Sequence, residues 1–379
     1  MPAALYWRYA PMTVKRIELF DFRNIEAQEL CACDGINIIS GENGQGKTNI
    51  LEAIGLFTGT RSFRGARNIQ MIRHGKEFSR LKMDFYAQGR DQTARMTVTK
   101  DSRDTTINDV KQAAASSLIG RFCAVVFSPD KMMLVSGSAS ERRKFLDAAI
   151  SQAFPQFASL LVKYNTALAQ RNALLKKYEM SQSARATIDV WDTQISVLGS
   201  QIVKKRLAFI KNLSPSAERF YEGISSGREP LSLEYDCSFS SDLGCDDLEA
   251  KYLQCLRDSI SSDVRAGFTQ HGPHRDDLLI LLGGNQARIY GSQGQKRSAV
   301  LALKLAEADQ LAVLTGEQPV ALLDDVMSEL DQLRQDYLLN RLEGWQVFIT
   351  CCDPGSLRLL DKGSIFDVCG GVITRTDKN

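Results

Sequence analysis

The chain has 379 residues, of which 44% are apolar and 24% charged, with 47 basic residues against 45 acidic ones. This length predicts two or three structural units, and the balanced composition excludes a small disulfide-stapled scaffold, an intrinsically disordered chain and a polycation. The nine cysteines form no paired C-x-x-C array, which indicates small buried residues of a reducing compartment rather than metal ligands.

The first segment in chain order is a short extension. Residues 1–11 lack the apolar core of a signal peptide, and we interpret them as a disordered extension before Met12. No segment reaches the roughly 18–20 apolar residues of a membrane helix, since even the uncharged run from 148 to 162 is interrupted by Pro155 and two glutamines. The sequence therefore predicts a soluble protein with no membrane partner.

Alternating apolar and polar residues from Val14 to Ile39 predict strands that end in a Gly-rich turn, and a helix is predicted over Thr48–Phe57. Residues 81–100 indicate further strands, and Phe122–Phe127 a short buried one. From about Ser140 the pattern becomes helical, with breaks at Pro155 and near residues 181–183.

The last of these helices carries an apolar seam at spacings of three and four. Its members are Ile188, Trp191, Ile195, Leu198 and Ile202, and the partner stripe is Leu161, Tyr164, Leu168 and Leu175. The seam lasts only about two heptads. It therefore favours two antiparallel helices packed in a globular lobe over a long coiled-coil arm.

After Pro215 we expect a return to mixed α/β structure. Val320–Asp324 and Val347–Thr350 are continuously apolar, which is typical of central strands of a parallel sheet. The sequence thus predicts an α/β head split by a largely helical insertion. The expected parts are a head segment at 12–130, a mostly helical lobe at 131–265 and a second head segment at 266–379.

A Gly-rich segment follows the strand that ends near Ser40 and fits the pattern G-x-x-x-x-G-K-[ST]. In such a loop successive backbone N–H groups surround a phosphate, the lysine reaches the β and γ oxygens, and the hydroxyl joins the Mg²⁺ shell. The start of the next helix adds a positive end. The sequence therefore predicts a nucleotide site formed by Gly41, Glu42, Asn43, Gly44, Gln45, Gly46, Lys47 and Thr48. This loop alone does not separate kinases, GTPases and ABC-like ATPases.

Two acids follow the apolar strand that ends at Leu323. Asp324 is predicted to hold Mg²⁺, and Asp325 to polarise the attacking water, so that Asp325 and Lys47 are the catalytic candidates. Two solvent-facing carboxylates at a strand end are the alternative. The succeeding Ser328–Asp331 resembles the loop that passes from the hydrolytic acid to the partner subunit in ABC-type ATPases, which favours the nucleotide role.

Another predicted helix, spanning Arg297–Asp309, is preceded by Gly291-Ser292-Gln293-Gly294-Gln295. This run resembles a variant of the ABC signature L-S-G-G-Q, in which Ser292, Gly294 and Gln295 face the γ-phosphate held by a second protomer. A hydroxyl and a glycine N–H at a helix N-terminus form an anion site. An ordinary helix cap with Ser292 as N-cap is the open alternative.

Blocks across the chain resemble the RecF family of SMC/ABC-type ATPases. Besides the phosphate loop they are Phe22–Asn24, Thr48–Ile54, Gly59–Arg64, Phe127–Gly137 with Asp130, Arg142–Asp147, Thr269–Asp277 and Leu322–Asp331. Two positions depart from the expected patterns. Ala139 replaces the usual proline, and Cys351-Cys352 follows Thr350 where ABC transporters place a switch histidine.

The resemblance implies an SMC/ABC-ATPase-like head of mixed sheets and helices, without a long coiled coil. It also implies an ATP- and Mg²⁺-dependent homodimer that binds single-stranded and gapped duplex DNA and helps RecO and RecR load RecA, with a part in the SOS response. Slow DNA-stimulated ATP hydrolysis would serve as a switch. The implied location is the cytoplasm, in association with the nucleoid.

Local basicity makes several residues DNA candidates: Arg61, Arg64, Arg142, Arg143, Lys204, Lys205 and Arg206. Such contacts should be phosphate-directed and salt-sensitive. For the helical clusters an ordinary solvated face is favoured. For Arg61 and Arg64, which come soon after the helix of the phosphate loop, contact with the nucleotide is the open alternative. His271 and His274, near Asp276 and Asp277, are more typical of a structural turn than of a metal site.

Other functions remain open at this point. The phosphate loop is also found in three other classes of protein. These are an SMC-like ATPase that acts on a protein partner, a nuclease-associated ATPase and a kinase. A nuclease needs an appended carboxylate-rich domain, for which the sequence after Asp331 is too short. The nucleotide-binding subunit of an ABC transporter needs the switch histidine, which is absent after Thr350.

Overall fold

The computed structural model describes residues 9–113, 115–129, 133–225, 227–244, 247–352 and 363–376. It divides into two compact units. The first unit comprises residues 1–132, 219–228 and 297–379, and the second comprises 133–218 and 229–296. Asp130 and residues 1–8 of the expected extension lie outside the described residues.

The elements are numbered in chain order. The strands are β1 Ala10–Pro11, β2 Thr13–Phe22, β3 Ile25–Cys31, β4 Ile36–Ser40, β5 Phe78–Ala87, β6 Arg90–Thr99, β7 Arg103–Ile107, β8 Val110–Lys111, β9 Ala124–Phe127, β10 Leu231–Asp236, β11 Asp277–Leu282, β12 Asn285–Gln286, β13 Glu317–Gln318, β14 Val320–Leu323, β15 Val347–Cys351, β16 Gly363–Cys369 and β17 Val372–Thr376. The helices are α1 Lys47–Leu56, α2 Asn68–Met71, α3 Met133–Ser136, α4 Ala139–Ala153, α5 Pro155–Leu175, α6 Gln182–Ser225, α7 Leu248–Asp258, α8 Ile260–Ala266, α9 Ala287–Tyr290, α10 Gln293–Thr315 and α11 Gln332–Arg341.

The first unit contains two six-stranded sheets. One is antiparallel, in the order β3-β2-β5-β6-β7-β8, and the other has the order β17-β16-β4-β15-β14-β9 with parallel pairing from β16 to β9. Helix α1 contacts β2 of the first sheet and β15 of the second. Ile50, Leu51 and Ile54 of this helix are fully buried. The core of the unit therefore lies around α1, directly behind the phosphate loop.

The strands predicted over Val14–Ile39, 81–100 and Val320–Asp324 are present as β2 to β6 and β14. The prediction of a disordered extension over residues 1–11 is wrong for Ala10 and Pro11, which form a strand. They pair in parallel with Glu317 and Gln318 as the small β1–β13 sheet.

The second unit is built on helices α4 to α8 and the three-stranded sheet β10-β11-β12. Pro155 starts α5, in agreement with the predicted break, because proline is tolerated at the first helical position. Arg171 of α5 bonds to Asp192 of α6, and Tyr164 lies beside Gly199. Since the two contacts run in opposite directions along the chain, α5 and α6 pack antiparallel, as predicted.

Two predicted features of this part of the chain differ from the structure. Helix α6 does not end at Pro215 but continues through it to Ser225. Leu213 and Ala217 on either side of the proline are fully buried, and this packing compensates for the hydrogen bond that proline removes. The boundary expected between residues 265 and 266 also lies elsewhere, because β11 pairs along its whole length with β10.

Cysteine burial differs from the expectation as well. Cys31, Cys352 and Cys369 are exposed, whereas Cys123 and Cys351 are buried. In the described ranges no helix combines the length and the apolarity that a bilayer crossing requires.

Candidate nucleotide site

The phosphate loop connects β4 to α1. Its glycines 41, 44 and 46 have φ angles of 142°, 82° and 118°, a region that side chains with a Cβ avoid. Gly46 is the N-cap of α1 and provides no side-chain cap. The N-terminus of the helix therefore has no side-chain cap of its own, and an uncapped helix N-terminus favours a phosphate.

Lys47 extends back across this loop. Its Nζ donates to the carbonyl oxygens of Gly41 at 2.6 Å and Glu42 at 3.1 Å, and lies 3.7 Å from Cys352 Sγ. Only 4% of Lys47 is exposed. The ammonium charge is thus held at the loop, where it can attract the β and γ oxygens of a nucleotide.

The acidic pair meets the end of the phosphate loop. β15 lies between β4 and β14, so the carboxyl ends of these parallel strands share one edge of the sheet. Thr48 Oγ1 donates to Asp324 Oδ1 at 2.7 Å. Thr350, near the end of β15, donates from its hydroxyl to the same carboxylate oxygen at 3.1 Å. Three segments that are distant in the sequence therefore meet at one carboxylate.

Burial raises the pKa of Asp324, and the charge of Asp325 adds to this effect, whereas the hydrogen bonds from Thr48 and Thr350 oppose it. A carboxylate in such a position gains stability from a cation. The hydroxyl of Thr48 and the carboxylate of Asp324 are hard oxygen ligands of the kind Mg²⁺ prefers. The donor set therefore fits magnesium.

Asp325 has a left-handed backbone with φ of 50°, which is uncommon for a residue other than glycine. Its N–H donates to Thr350 Oγ1 at 2.8 Å, and its carbonyl accepts from Ser328 Oγ at 2.8 Å. These bonds hold the strained residue in place, and strain of this kind is typical of functional sites.

A second layer of side chains supports the loop. Arg23 donates two hydrogen bonds to the fully buried Glu52 of α1, at 2.9 and 2.8 Å. Ser62 also donates to Glu52, and Arg64 bonds to Asn49 Oδ1 at 2.9 Å. The sequence analysis missed Arg23, Glu52 and Thr350 as parts of the site. For Thr350 the available signal was a polar residue near the end of an otherwise apolar central strand.

The DNA candidates are placed differently from one another. Arg61 and Arg64 are exposed in the first unit. The structure does not agree with Arg142, in the second unit, as a DNA contact. Only 4% of this residue is exposed, and its guanidinium bonds to both Asp277 oxygens and to Gly137 O. Arg143 is half-buried and bonds to Asp276 O. The two helical arginines therefore serve the interior of the unit, and Arg142 is not available to DNA.

The structure also does not agree with Arg206, in the basic run of α6, as a DNA contact. It is buried and forms two hydrogen bonds with Asp147, both at 2.9 Å. Lys204 and Lys205 next to it are exposed. The run is therefore divided between the interior and the surface of the second unit.

The signature-like residues begin α10 in the second unit. Ser292 N–H donates to Gln295 Oε1 at 2.7 Å, and Gln295 N–H donates to Ser292 Oγ at 3.2 Å. This is a capping box, so the helix-cap alternative describes the local structure. The cap leaves the Ser292 side chain exposed at the helix N-terminus, where an anion is favoured.

The His271–Asp277 block is a structural turn, as expected. His274 is bonded at both nitrogens, to Tyr164 Oη at 2.7 Å and Thr269 O at 3.0 Å. The carbonyl can only accept, so Nε2 carries a proton, and in the neutral ring Nδ1 accepts from Tyr164. No group of three or more potential metal-binding side chains was found within the described ranges.

The chain is similar to known proteins over most of its length. The model of the RecF/RecN/SMC N terminal domain family matches residues 13–368. The DNA replication and repair protein RecF of Ruminiclostridium cellulolyticum is 38% identical over 370 residues, which cover 96% of this chain and 99% of that protein. RecF of Desulfitobacterium hafniense is 39% identical over 339 residues, covering 88% and 92%.

Solved structures are similar as well. The recombination mediator protein RecF-ATP of the RecFOR pathway superposes with a TM-score of 0.92 at 34% identity, covering 98% of this chain and 100% of that one. The Smc head domain of Pyrococcus furiosus has a TM-score of 0.56 at 16% identity, with 96% of each chain covered. The second likeness concerns the fold alone.

Proposed function

Because this chain belongs to the RecF family of SMC/ABC-type ATPases, we propose that it is an ATP-dependent DNA-binding protein of recombinational repair and replication-fork maintenance. The observation that carries the nucleotide part is the contact of Thr48 with Asp324. A phosphate loop and a strand-end acid pair meet there as an ATPase requires. The similarity to a RecF solved with ATP supports the same assignment.

ATP and Mg²⁺ are the proposed cofactors. The loop from Gly41 to Gly46 would surround the phosphates, and Lys47 would neutralise their β and γ oxygens. Thr48 and Asp324 would hold the metal ion, which when bound shields the charge of the phosphates. Asp325 would orient the attacking water as a general base.

The proposed active form is a homodimer with ATP between the protomers. Ser292, Gly294 and Gln295 of one protomer would face the γ-phosphate held by the other, using the exposed hydroxyl and the positive end of α10. ATP would close the dimer and slow hydrolysis would open it, so the weak ATPase works as a switch.

In the closed state the protein is proposed to bind single-stranded and gapped duplex DNA. It would help RecO and RecR load RecA, as expected for a protein of the SOS response in the cytoplasm and nucleoid. Arg61 and Arg64 are the exposed candidates near the phosphate loop, and Arg143 offers only part of its side chain. Such contacts are directed to DNA phosphates and weaken steeply with salt.

Sedimentation of fluorescently labelled gapped DNA, at fixed moderate salt, tests the proposal. A fast complex with two protomers per DNA that forms only with ATP and Mg²⁺ is the expected result. DNA that sediments alone under every condition contradicts DNA binding. That result favours an ATPase that acts on a protein partner.

A further inference from the structure

We propose that the turn of the β16–β17 hairpin, Gly370–Gly371, is a positioning element of the nucleotide site that fixes Gln45 of the phosphate loop and thereby sets the affinity for ATP. The inference rests on the proposed ATP binding and assigns a role to residues that no sequence motif marks. It concerns the first unit alone.

The turn binds Gln45 at two points. Gly370 N–H donates to Gln45 Oε1 at 2.6 Å, and Gly371 N–H donates to Gln45 O at 3.0 Å. Asn24 Nδ2 donates to the same carbonyl oxygen at 2.8 Å. All three bonds use acceptors of Gln45 and none uses its backbone N–H, which is the kind of group that binds phosphate in this type of loop.

Steric contact adds to these bonds. Gly371 has φ of 83°, and a Cβ at this position would lie 2.6 Å from the carbonyl oxygen of Asn24. At the other end of the loop, a Cβ on Gly41 would lie 2.3 Å from the carbonyl oxygen of Val368 in β16. These neighbours are backbone atoms, which cannot turn away as a side chain can. The hairpin thus touches the phosphate loop near both of its ends.

Asn24 connects the hairpin contact to α1. Its Oδ1 accepts from Asn49 Nδ2 at 2.8 Å, and a Cβ on Gly46 would lie 2.7 Å from the same oxygen. A displacement of the turn at Gly371 would therefore move Asn24 against both Gln45 and Gly46. The chain of contacts ends at the residues that begin the helix.

These contacts should change nucleotide affinity more than folding. β16 pairs with β4 from Gly363 to Asp367, so the hairpin stays in the sheet when its turn is altered. A loop that is held in its binding conformation loses less conformational entropy when the ligand arrives. Release of Gln45 therefore adds an ordering cost to ATP binding and leaves the sheet intact.

Two hairpin-turn glycines of the first unit provide a matched test. Gly371→Ala and Gly89→Ala, the latter in the β5–β6 turn, both place alanine at positive φ, 83° and 70°, but no atom lies within 4 Å of the new Cβ at residue 89. The full chain is titrated with ATP by calorimetry, and its thermal unfolding is followed without nucleotide. We expect the Kd for ATP to rise about tenfold in Gly371→Ala and by no more than about twofold in Gly89→Ala. The unfolding midpoint should fall further in Gly371→Ala, because its new Cβ also meets the carbonyl oxygen of Asn24.

Gln45→Ala keeps the test decisive if Gly371→Ala does not fold. It removes the Oε1 acceptor of Gly370 N–H and leaves both backbone glycines unchanged, and its Kd for ATP should rise severalfold. Equal ATP affinity in Gly89→Ala and Gly371→Ala, or wild-type affinity in Gln45→Ala, overturns the positioning role. Failure of the wild-type protein to bind ATP instead overturns the proposed function.

Discussion

Thr48 and Asp324, separated by 276 positions in the chain, are joined by a hydrogen bond of 2.7 Å from the threonine hydroxyl to the carboxylate. Thr48 lies in the first turn of α1, after the phosphate loop, and Asp324 directly follows the central strand β14. Because both oxygens lie at the carboxyl edge of the same sheet, the phosphate loop and the acid pair are brought to one place.

Replacement of Lys47 by alanine should weaken ATP binding by about 100-fold, because it removes the buried ammonium that neutralises the phosphates. Lys163→Ala, which removes an exposed lysine of α5, is the control and should bind ATP normally. Calorimetric titration of both variants checks the prediction. Wild-type affinity in Lys47→Ala excludes this loop as the phosphate site.

The two adjacent acids should behave differently when each becomes asparagine. Asp325→Asn should bind ATP normally, remain in the closed dimer and hydrolyse ATP about 100-fold more slowly, because the proposed general base is lost. Asp324→Asn should lose the magnesium dependence of ATP binding, because a proposed ligand of the metal is removed. Phosphate release and titrations with and without Mg²⁺ separate the two effects. Unchanged turnover in Asp325→Asn removes that residue from catalysis.

Dimerisation should depend on Ser292. Ser292→Arg places a long cation at the start of α10 and should prevent the ATP-dependent dimer, while each monomer still binds ATP. Ser292→Asp is the sharper variant, because aspartate caps a helix about as well as serine yet repels a phosphate. Sedimentation with ATP should show monomers for both. A dimer of either variant with wild-type stability contradicts the sandwich arrangement.

The stability of the second unit should depend on Arg171. This fully buried side chain bonds to Asp192 Oδ1 at 2.5 Å, and to Asp263 Oδ2 at 2.6 Å and Thr269 Oγ1 at 2.9 Å. Arg171→Ala leaves two buried carboxylates without their cation and should lower the free energy of unfolding by about 3–5 kcal/mol. Arg257→Ala, at an exposed position, should change it by less than about 0.5 kcal/mol. Urea unfolding compares the two variants.

The free energy of unfolding should decrease as the pH falls, because His274 has a lowered pKa in the folded chain. Burial lowers the pKa of this imidazole to about 4, from an ordinary value of 6.5. The unfolded chain therefore binds the additional proton between pH 6.5 and 4, so stability decreases as the pH falls through that range. The expected loss is on the order of 2 kcal/mol, after allowance for partial exposure.

His274→Gln isolates this effect from the carboxyl groups that titrate in the same range. The free energy of unfolding is measured from pH 7 to pH 4 for both proteins, and the difference between the two curves reports the histidine. Parallel curves show that His274 titrates equally in the folded and unfolded chains.

Residues that lie close together in the sequence could be predicted well. Gly41 to Thr48 form one contiguous loop, and the apolar run before Asp324 identifies its strand, because local pattern determines both. Arg142 shows the limit of this approach. A basic helical residue has the same local signal whether it faces DNA or a buried carboxylate, and Asp277, its partner, lies 135 positions away.

Pro215 shows a different limit. Its local effect is to break a helix, but burial of the residues on either side of it outweighs that effect. Gln45 shows a third, because its partners Gly370 and Gly371 belong to an ordinary hairpin turn that carries no motif.

The order of strands in the parallel sheet has a consequence for protein synthesis. β16, at residues 363–369, lies between β17 and β4, so the strand before the phosphate loop acquires one neighbour only when residues near 369 emerge from the ribosome. At about 10 residues per second, roughly half a minute separates the synthesis of β4 from that of β16. For most of this interval β4 lacks both of its sheet partners, β15 and β16. Its backbone donors and acceptors are then unpaired, which favours association with other chains until the sheet is complete.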